Sequence, residues 1–568
     1  MRLSFPALFF LLLSLCLLHS ACFGGPDSAG FYGRVTVPNS QEFRWSDGGL
    51  PQTFDPAYAA APPDTDAVRA IFEGLTDHDP KTLVPVPGVA KHWESSEQGR
   101  VWTFYLRSDA RWSNGEPVTA QDFVRSWQRT VRIGQLSPHT NLLTNIVGAR
   151  SALVAPTPQQ RRRDQETQSS RGRRSRSVEQ SFGAQAMSDH VLRVRLRRAD
   201  NNFPSLVAHS VFRPVKLASE LQLQRLTPPG LVSNGAFALA KSDNDSVILE
   251  RANQYWGRSD ISLERVEFIN TRDSEAALAA YRDGRVDAIS NAPFEPLALK
   301  LLSSYKDFRR HTYGALTYYS FNSARPPFDD VRVREALSLA INRERISRDD
   351  LDGATEPARR FLPDSMVDAG RPVVDKSLYQ DQDMARAKAL LAEAGYPEGR
   401  GFPVVRLLIN RNELQRIVAQ SVAAMWSNVL NINTEIIIRN WDEYEGLLRN
   451  GDFDVARRGM VMQTTDEFTN IRMMFRDLVP FSASANQQLA GTPETSEAKR
   501  SANNVPVETE SQALRQLRAI PIYFASSYTL VRPYVTGFDT NVLDAPSLKT
   551  VRIDTKWNQP GTAALMRP

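Results

Sequence analysis

A chain of 568 residues is too long for one ordinary hydrophobic core, so roughly two or three domains are expected. Apolar residues at 41% and aromatics at 9% suit a globular protein with a large cavity to line. The formal net charge of +5 is small and much of it is local, which argues against a polyanionic partner.

The chain opens with Arg2 and an almost wholly apolar run from Leu3 to Leu18, followed by the small residues Ser20 and Ala21 before Cys22. A run this short with small residues behind it is an export signal rather than a spanning helix. Cys22 stands where a bacterial lipoprotein carries its lipid, although His19 occupies a position where Leu is usual. Lipidation of Cys22 is the expectation and a plain secretory signal the alternative. Cys16 and Cys22 are the only cysteines and both lie in the leader, so the mature chain has neither a disulfide nor a thiolate metal site.

After a polar tether, Phe43-Arg44-Trp45 reads as a strand and Leu50 to Pro56 as an extended, Pro-punctuated passage. Val68, Ile71, Phe72 and Leu75 form a helical stripe over Asp66 to Leu75, with Gly74 as its expected end. From Val101 to Arg129 three elements are specified locally. Trp102, Phe104 and Leu106 alternate with polar residues as in a half-buried strand, and Ser113 to Pro117 supplies a turn. Thr119 and Asp122 then form a capping-box variant ahead of the helical face Phe123, Val124 and Trp127. Between about 155 and 185 the sequence is rich in Arg, Ser and Gln and nearly free of apolar residues, the composition of a solvated, flexible insertion. It lacks the aromatics that would stack on bases, so no nucleic-acid partner is expected.

Farther along, strand and helix alternate. Val266 to Ile269, a helix capped by Asp273 and stopped by Gly284, and Val286 to Ile289 make one βαβ unit, which implies parallel strands. A helix from Asp383 to Ala394 ends at Gly395. A second set contains strands at Val404 to Ile409, Thr434 to Ile438 and Phe453 to Val455. Helices around Ile417 to Val429 and Trp441 to Leu448 separate those strands. Two sets of α/β units argue for two α/β lobes. Ser482 to Glu510 is polar and weakly periodic, Ile520 to Phe524 and Tyr528 to Val531 read as two strands, and a loose tail begins at Asn558.

No phosphate-cradling Gly-rich loop, zinc-binding His-Glu-x-x-His or nucleophile elbow occurs, so no enzyme, metal or cofactor is expected. His78, His92, His139, His190, His209 and His311 are scattered.

Taken together, Phe43 to Ala59, Val68 to Glu94, the stretch from Val101 to Arg129, Val232 to Leu239 and Arg251 to Gly257 resemble one known family. So do Tyr318 to Ile346, Ala387 to Pro403, Asp452 to Gly459 and Ile520 to Phe538. That family is the periplasmic oligopeptide-binding proteins of peptide ABC transporters, extracellular solute-binding protein family 5. The resemblance implies an α/β, two-lobed clamp of the periplasmic-binding-protein type II kind with an additional inserted domain. It divides the chain into a signal (1–21), a tether (22–30), a discontinuous lobe I (31–59, 186–320, 525–557), an inserted domain II (60–185), lobe III (321–524) and a tail (558–568). It also implies hinge closure over a peptide, an inner-membrane permease as partner, a membrane anchor through Cys22, and a monomer.

The family holds peptides as an added strand, through backbone hydrogen bonds. The residues that the resemblance places at the ligand are Ala60, Ala61, Pro62, Asn322, Arg457, Gly459, Met460, Val461, Gln463 and Asp466. Two of these depart from the pattern. An aromatic is expected at Met460, and a carboxylate that pairs with the peptide ammonium is expected at Gln463. Asp466 or Glu467 is the expected substitute; failing both, N-acetylated peptides should bind about as well as free ones. Pro62 also removes a backbone donor. Alternative solutes are a modified or murein-derived peptide or a chelate, and the alternative of another class is a degenerate envelope protein that no longer transports.

Overall fold

The computed structural model describes residues 30–149, 182–217, 225–228, 230–366, 381–475 and 507–558. The export signal, Cys22, most of the Arg-rich run, most of the polar run before Glu510 and nearly all of the tail lie outside the described residues. Among the described residues no helix is long and apolar enough to cross a membrane.

One mixed sheet of eleven strands runs through the molecule. At one end, Glu42–Asp47 lies between Arg265–Ile269 and Ala288–Ser290 and is parallel to both. The expected βαβ unit is therefore present, but its two strands are not neighbours, because an earlier strand is interleaved between them. Its connecting helix, Ser274–Arg282, starts where the Asp273 carboxylate accepts the Ala276 N–H at 2.7 Å. The chain leaves it through Gly284 at φ +76, a left-handed position that glycine takes without strain. At the other end the arrangement recurs, with Val405–Asn410 parallel to Thr434–Arg439 on one side and to Val455–Val461 on the other. Val405, Leu407, Leu408 and Ile409 are fully buried, as expected of a parallel strand covered on both faces.

Two long antiparallel strands, Phe308–Phe321 and Ala519–Val531, join these ends. Ala519–Val531 reaches Ala288 and Ile289, while Phe308–Phe321 pairs along Ala315 to Phe321 with Val455–Val461. Their ladder is interrupted by register shifts between Thr312 and Leu316 and between Thr317 and Tyr318. Sequence reading expects two strands between Ile520 and Val531. The structure has one, because Ser526 and Ser527 stay paired with Thr312 and His311 and no turn intervenes.

Two separate apolar cores lie on either side of this crossing. One contains Phe43, Trp45, Trp112 and Trp127, and the other Tyr319, Trp426, Leu407 and Ile520. The first core also absorbs an antiparallel sheet of four strands in the order Ala90–Ser96, Val101–Leu106, Val191–Arg195, Ala184–Ser188. The boundary expected at residue 185 thus falls inside a hairpin, and the small sheet extends through Arg195. Its helix, Ala120–Ile133, has the expected capping box, with the Thr119 N–H donating to Asp122 Oδ2 at 2.9 Å. That helix buries Phe123, Val124 and Trp127.

The preceding helix is shorter than its stripe suggests. It spans Asp64–Ile71, and Phe72 is already extended at φ −121. The Arg213 guanidinium takes the carbonyls of Arg69 and Phe72, satisfying the helix end before Gly74 is reached.

Candidate ligand-binding site

A cavity of about 190 Å³ opens where the two lobes face each other beside the crossing strands. The first lobe contributes Ala60, Ala61, Pro62, Thr65 and Arg69 at the start of the helix Asp64–Ile71, together with His78 and His209. Tyr313 comes from the irregular part of the crossing ladder, and Leu543, Asp544 and Ala545 from the loop that follows it. The second lobe contributes Val461, Met462 and Gln463, where Val455–Val461 ends.

Five of the ten residues expected at the ligand therefore meet in one cavity: Ala60, Ala61, Pro62, Val461 and Gln463. The structure does not bring the other five to it. Asn322 ties its amide to the carbonyls of Gly451 and Phe453 at 2.9 and 3.2 Å. Arg457 lies over Gly459, its Nε buried without a partner. Met460 pairs with Leu316 in the ladder and packs against the core that contains Phe361. Asp466 caps the helix Glu467–Phe475, its Oδ2 accepting the Thr469 N–H at 2.6 Å. Glu467 accepts the Glu510 N–H at 2.8 Å, so neither proposed substitute carboxylate faces the cavity.

The walls touch at several points. His209 Nδ1 accepts the Val211 N–H at 3.1 Å, which leaves Nε2 to donate to Gln463 Oε1 at 3.3 Å. The Ser205 and Thr465 hydroxyls lie 2.8 Å apart, and Ser205 also meets His78 Nε2 at 3.0 Å. His139 Nε2 reaches the Ala60 carbonyl at 2.9 Å, and its ring stands edge-on to that of His209 with centroids 4.8 Å apart. Burial drives all three imidazoles toward the neutral form: His139 and His209 fall below their ordinary range and His78 is pushed down to about 4. Arg69 pairs with Asp66 and is lowered to about 10 by burial and by the Arg213 charge.

Asp544 is the cavity's one carboxylate among the described residues. Its neighbours register its charge: burial and then Asp544 push the Tyr313 phenol up to about 12. Asp47 is raised to about 6 by burial, with Asp544 adding to it and hydrogen bonds from Ser290 and Asn291 opposing it. Asp544, Tyr313, Arg69 and both cavity histidines belong to no motif that marks them in the sequence. The Asn541 to Asp544 turn chemistry was the one local sign of a built loop.

Two α/β lobes joined by a pair of long strands, with a partly polar cavity at the junction, define a clamp that closes on a solute. Residues 84–478 match the model of bacterial extracellular solute-binding proteins, family 5. The periplasmic oligopeptide-binding protein OppA of Escherichia coli (strain K12) is 30% identical over 89% of this chain and 91% of its own length. The periplasmic murein peptide-binding protein MppA of the same organism is 30% identical over 86% of this chain and 89% of its own. Among solved structures, the unliganded open form of MppA superposes with a TM-score of 0.72 at 28% identity, covering 91% of this chain and 98% of that one. The chain belongs to family 5 of the bacterial extracellular solute-binding proteins.

Proposed function

We propose that this protein is the solute-binding component of a peptide importer. It takes short peptides between its lobes in the cell envelope and passes them to an inner-membrane ABC permease. The observation that carries this reading is the cavity at the lobe junction, lined from both lobes and placed on the strands that join them. At about 190 Å³ it is smaller than the roughly 300–1,000 Å³ of enclosed ligand sites. A peptide therefore enters by parting the lobes at the crossing strands. The relatives named above support peptides as the solute, murein-derived ones included. A degenerate cleft would be apolar and filled, whereas this one holds Arg69, Asp544, Gln463 and two histidines.

Calorimetry of the purified mature protein against di- to pentapeptides tests this reading. Micromolar or tighter binding is expected, and silence across the set overturns it. Export to the envelope follows the apolar leader, and Cys22 is the residue that would carry a lipid. Labelled palmitate should be incorporated by the wild-type chain and lost in Cys22→Ala; an unlabelled wild type removes the anchor and leaves a soluble envelope protein.

A further inference from the structure

The carboxylate that Asp544 brings to the cavity is held by a built loop. Asp544 sits at φ +52, a left-handed conformation uncommon outside glycine, Asn and Asp. The loop that holds it there is tied at several points. Asn541 Oδ1 accepts the Leu543 and Ala545 N–H groups at 3.1 and 3.2 Å, and its amide nitrogen reaches the Pro80 and Ala545 carbonyls, both at 3.0 Å. The Val542 carbonyl accepts the Gly314 N–H at 2.7 Å, which fixes the loop to the irregular part of the crossing ladder.

The carboxylate is only partly engaged. Oδ2 accepts the Ser527 hydroxyl at 2.9 Å, and His311 Nε2 lies 3.3 Å from Oδ1. On the second lobe's part of the lining, Gln463 brings no charge, and its oxygen already accepts from His209. A cation entering this space meets one carboxylate, the Arg69 guanidinium already paired with Asp66, and a second-lobe wall without charge. We propose that Asp544 is the counter-ion for a free ammonium group on the ligand, supplied by the first lobe's side of the cleft rather than by the wall that carries Gln463. This rests on the peptide reading for the identity of the ammonium, a peptide N-terminus. It also replaces the expectation that acetylated and free peptides bind alike.

The test compares triglycine with N-acetyl-triglycine on the wild-type protein and on Asp544→Asn. Asn tolerates the left-handed backbone and can still accept from Ser527, so the loop should survive; a matching thermal midpoint checks this. The wild type should prefer the free ammonium by about tenfold or more, the range of a charged hydrogen bond. Asp544→Asn should abolish that preference with little change for the acetylated peptide. Adding Gln463→Asp to Asp544→Asn should restore it from the second lobe's wall. Equal binding of both peptides to the wild type, or a preference that survives Asp544→Asn, overturns the role of Asp544 and leaves the peptide reading standing. If neither peptide binds, mass spectrometry of ligand carried through native purification decides. An ammonium-bearing non-peptide that is lost from Asp544→Asn keeps the counter-ion and ends the peptide reading, while a ligand without an ammonium ends both.

Discussion

In the first lobe, buried charge meets buried charge. Arg129 grips Asp55 with two hydrogen bonds of 3.0 and 2.6 Å, and both side chains are almost fully buried. Lys549 lies 2.6 Å from Glu73 and 2.9 Å from Asp77, which Arg213 also reaches at 3.2 Å. Burial would raise the Asp77 carboxyl, but Lys549 and Arg213 outweigh it and hold it well below the ordinary range. In the second lobe the buried guanidiniums of Arg334 and Arg343 donate to main-chain carbonyls, those of Phe328 and Gln516 for Arg334 and of Pro521 for Arg343. Its Arg360–Glu510 pair braces the Leu362 N–H and does not line the cavity. The difference extends to the cleft: one side holds Arg69 and Asp544, and the second lobe adds Val461, Met462 and Gln463. Ionic recognition is thus set on one wall before closure. The other wall brings exclusion of water and neutral hydrogen bonds.

That contrast can be broken by mutation. Arg129→Ala strands the buried Asp55 carboxylate and should cost about 3–5 kcal/mol in urea unfolding at neutral pH. Trp426→Ala, in the second core, removes a fully buried indole that donates to the Leu337 carbonyl at 2.9 Å. It should also cost about 3–5 kcal/mol. A cost below about 1 kcal/mol for Arg129→Ala beside the full cost for Trp426→Ala would end the distinction between the lobes.

A smaller effect is expected where the lobes meet. Asp200 is raised to about 7 by burial and then by the charge of Asp466 in the second lobe. A carboxyl raised in the folded state stabilises most below its unfolded value near 4, and that contribution is lost as pH rises through about 7. Asp200→Asn should therefore be the more stable protein at pH 8, on the order of 1 kcal/mol after screening. The advantage should fade on acidification and vanish near pH 4. A thermal midpoint that gains on acidification instead would show that the two carboxylates do not repel across the cleft.

Local chemistry was legible in the sequence. Thr119 with Asp122, Asp273 with Gly284, and the apolar run ending at Ile409 each specify an element from neighbouring residues, and each element is there. Strand order was not legible, because the interleaving of Glu42–Asp47 between strands more than 200 residues later is a long-range pairing with no local sign. The joining of Ile520 to Val531 was hidden by Ser526 and Ser527, polar residues that read as a turn yet lie in the crossing ladder. At the site, Ala60 to Pro62, Val461 and Gln463 came from resemblance. Asp466 misled because a carboxylate near a ligand and one at a helix N-terminus look alike in a sequence. Asp544 looks like any turn aspartate until the fold brings it into one cavity with Gln463.

The crossing ladder gives the cleft a mechanical character. The lobes are joined by a ribbon of hydrogen-bonded strands in the middle of one continuous sheet, so parting them flexes a plate. Its weakest line is the misregister from Thr312 to Leu316. Gly314 sits on that line, donating to Val542 on one side and accepting the Met462 N–H at 2.8 Å on the other. One residue thus links the loop that aims Asp544 to the strand end that carries Gln463. A solute that spans those two side chains acts as a rivet across the crease, whereas one that reaches only one of them leaves the plate free to spring.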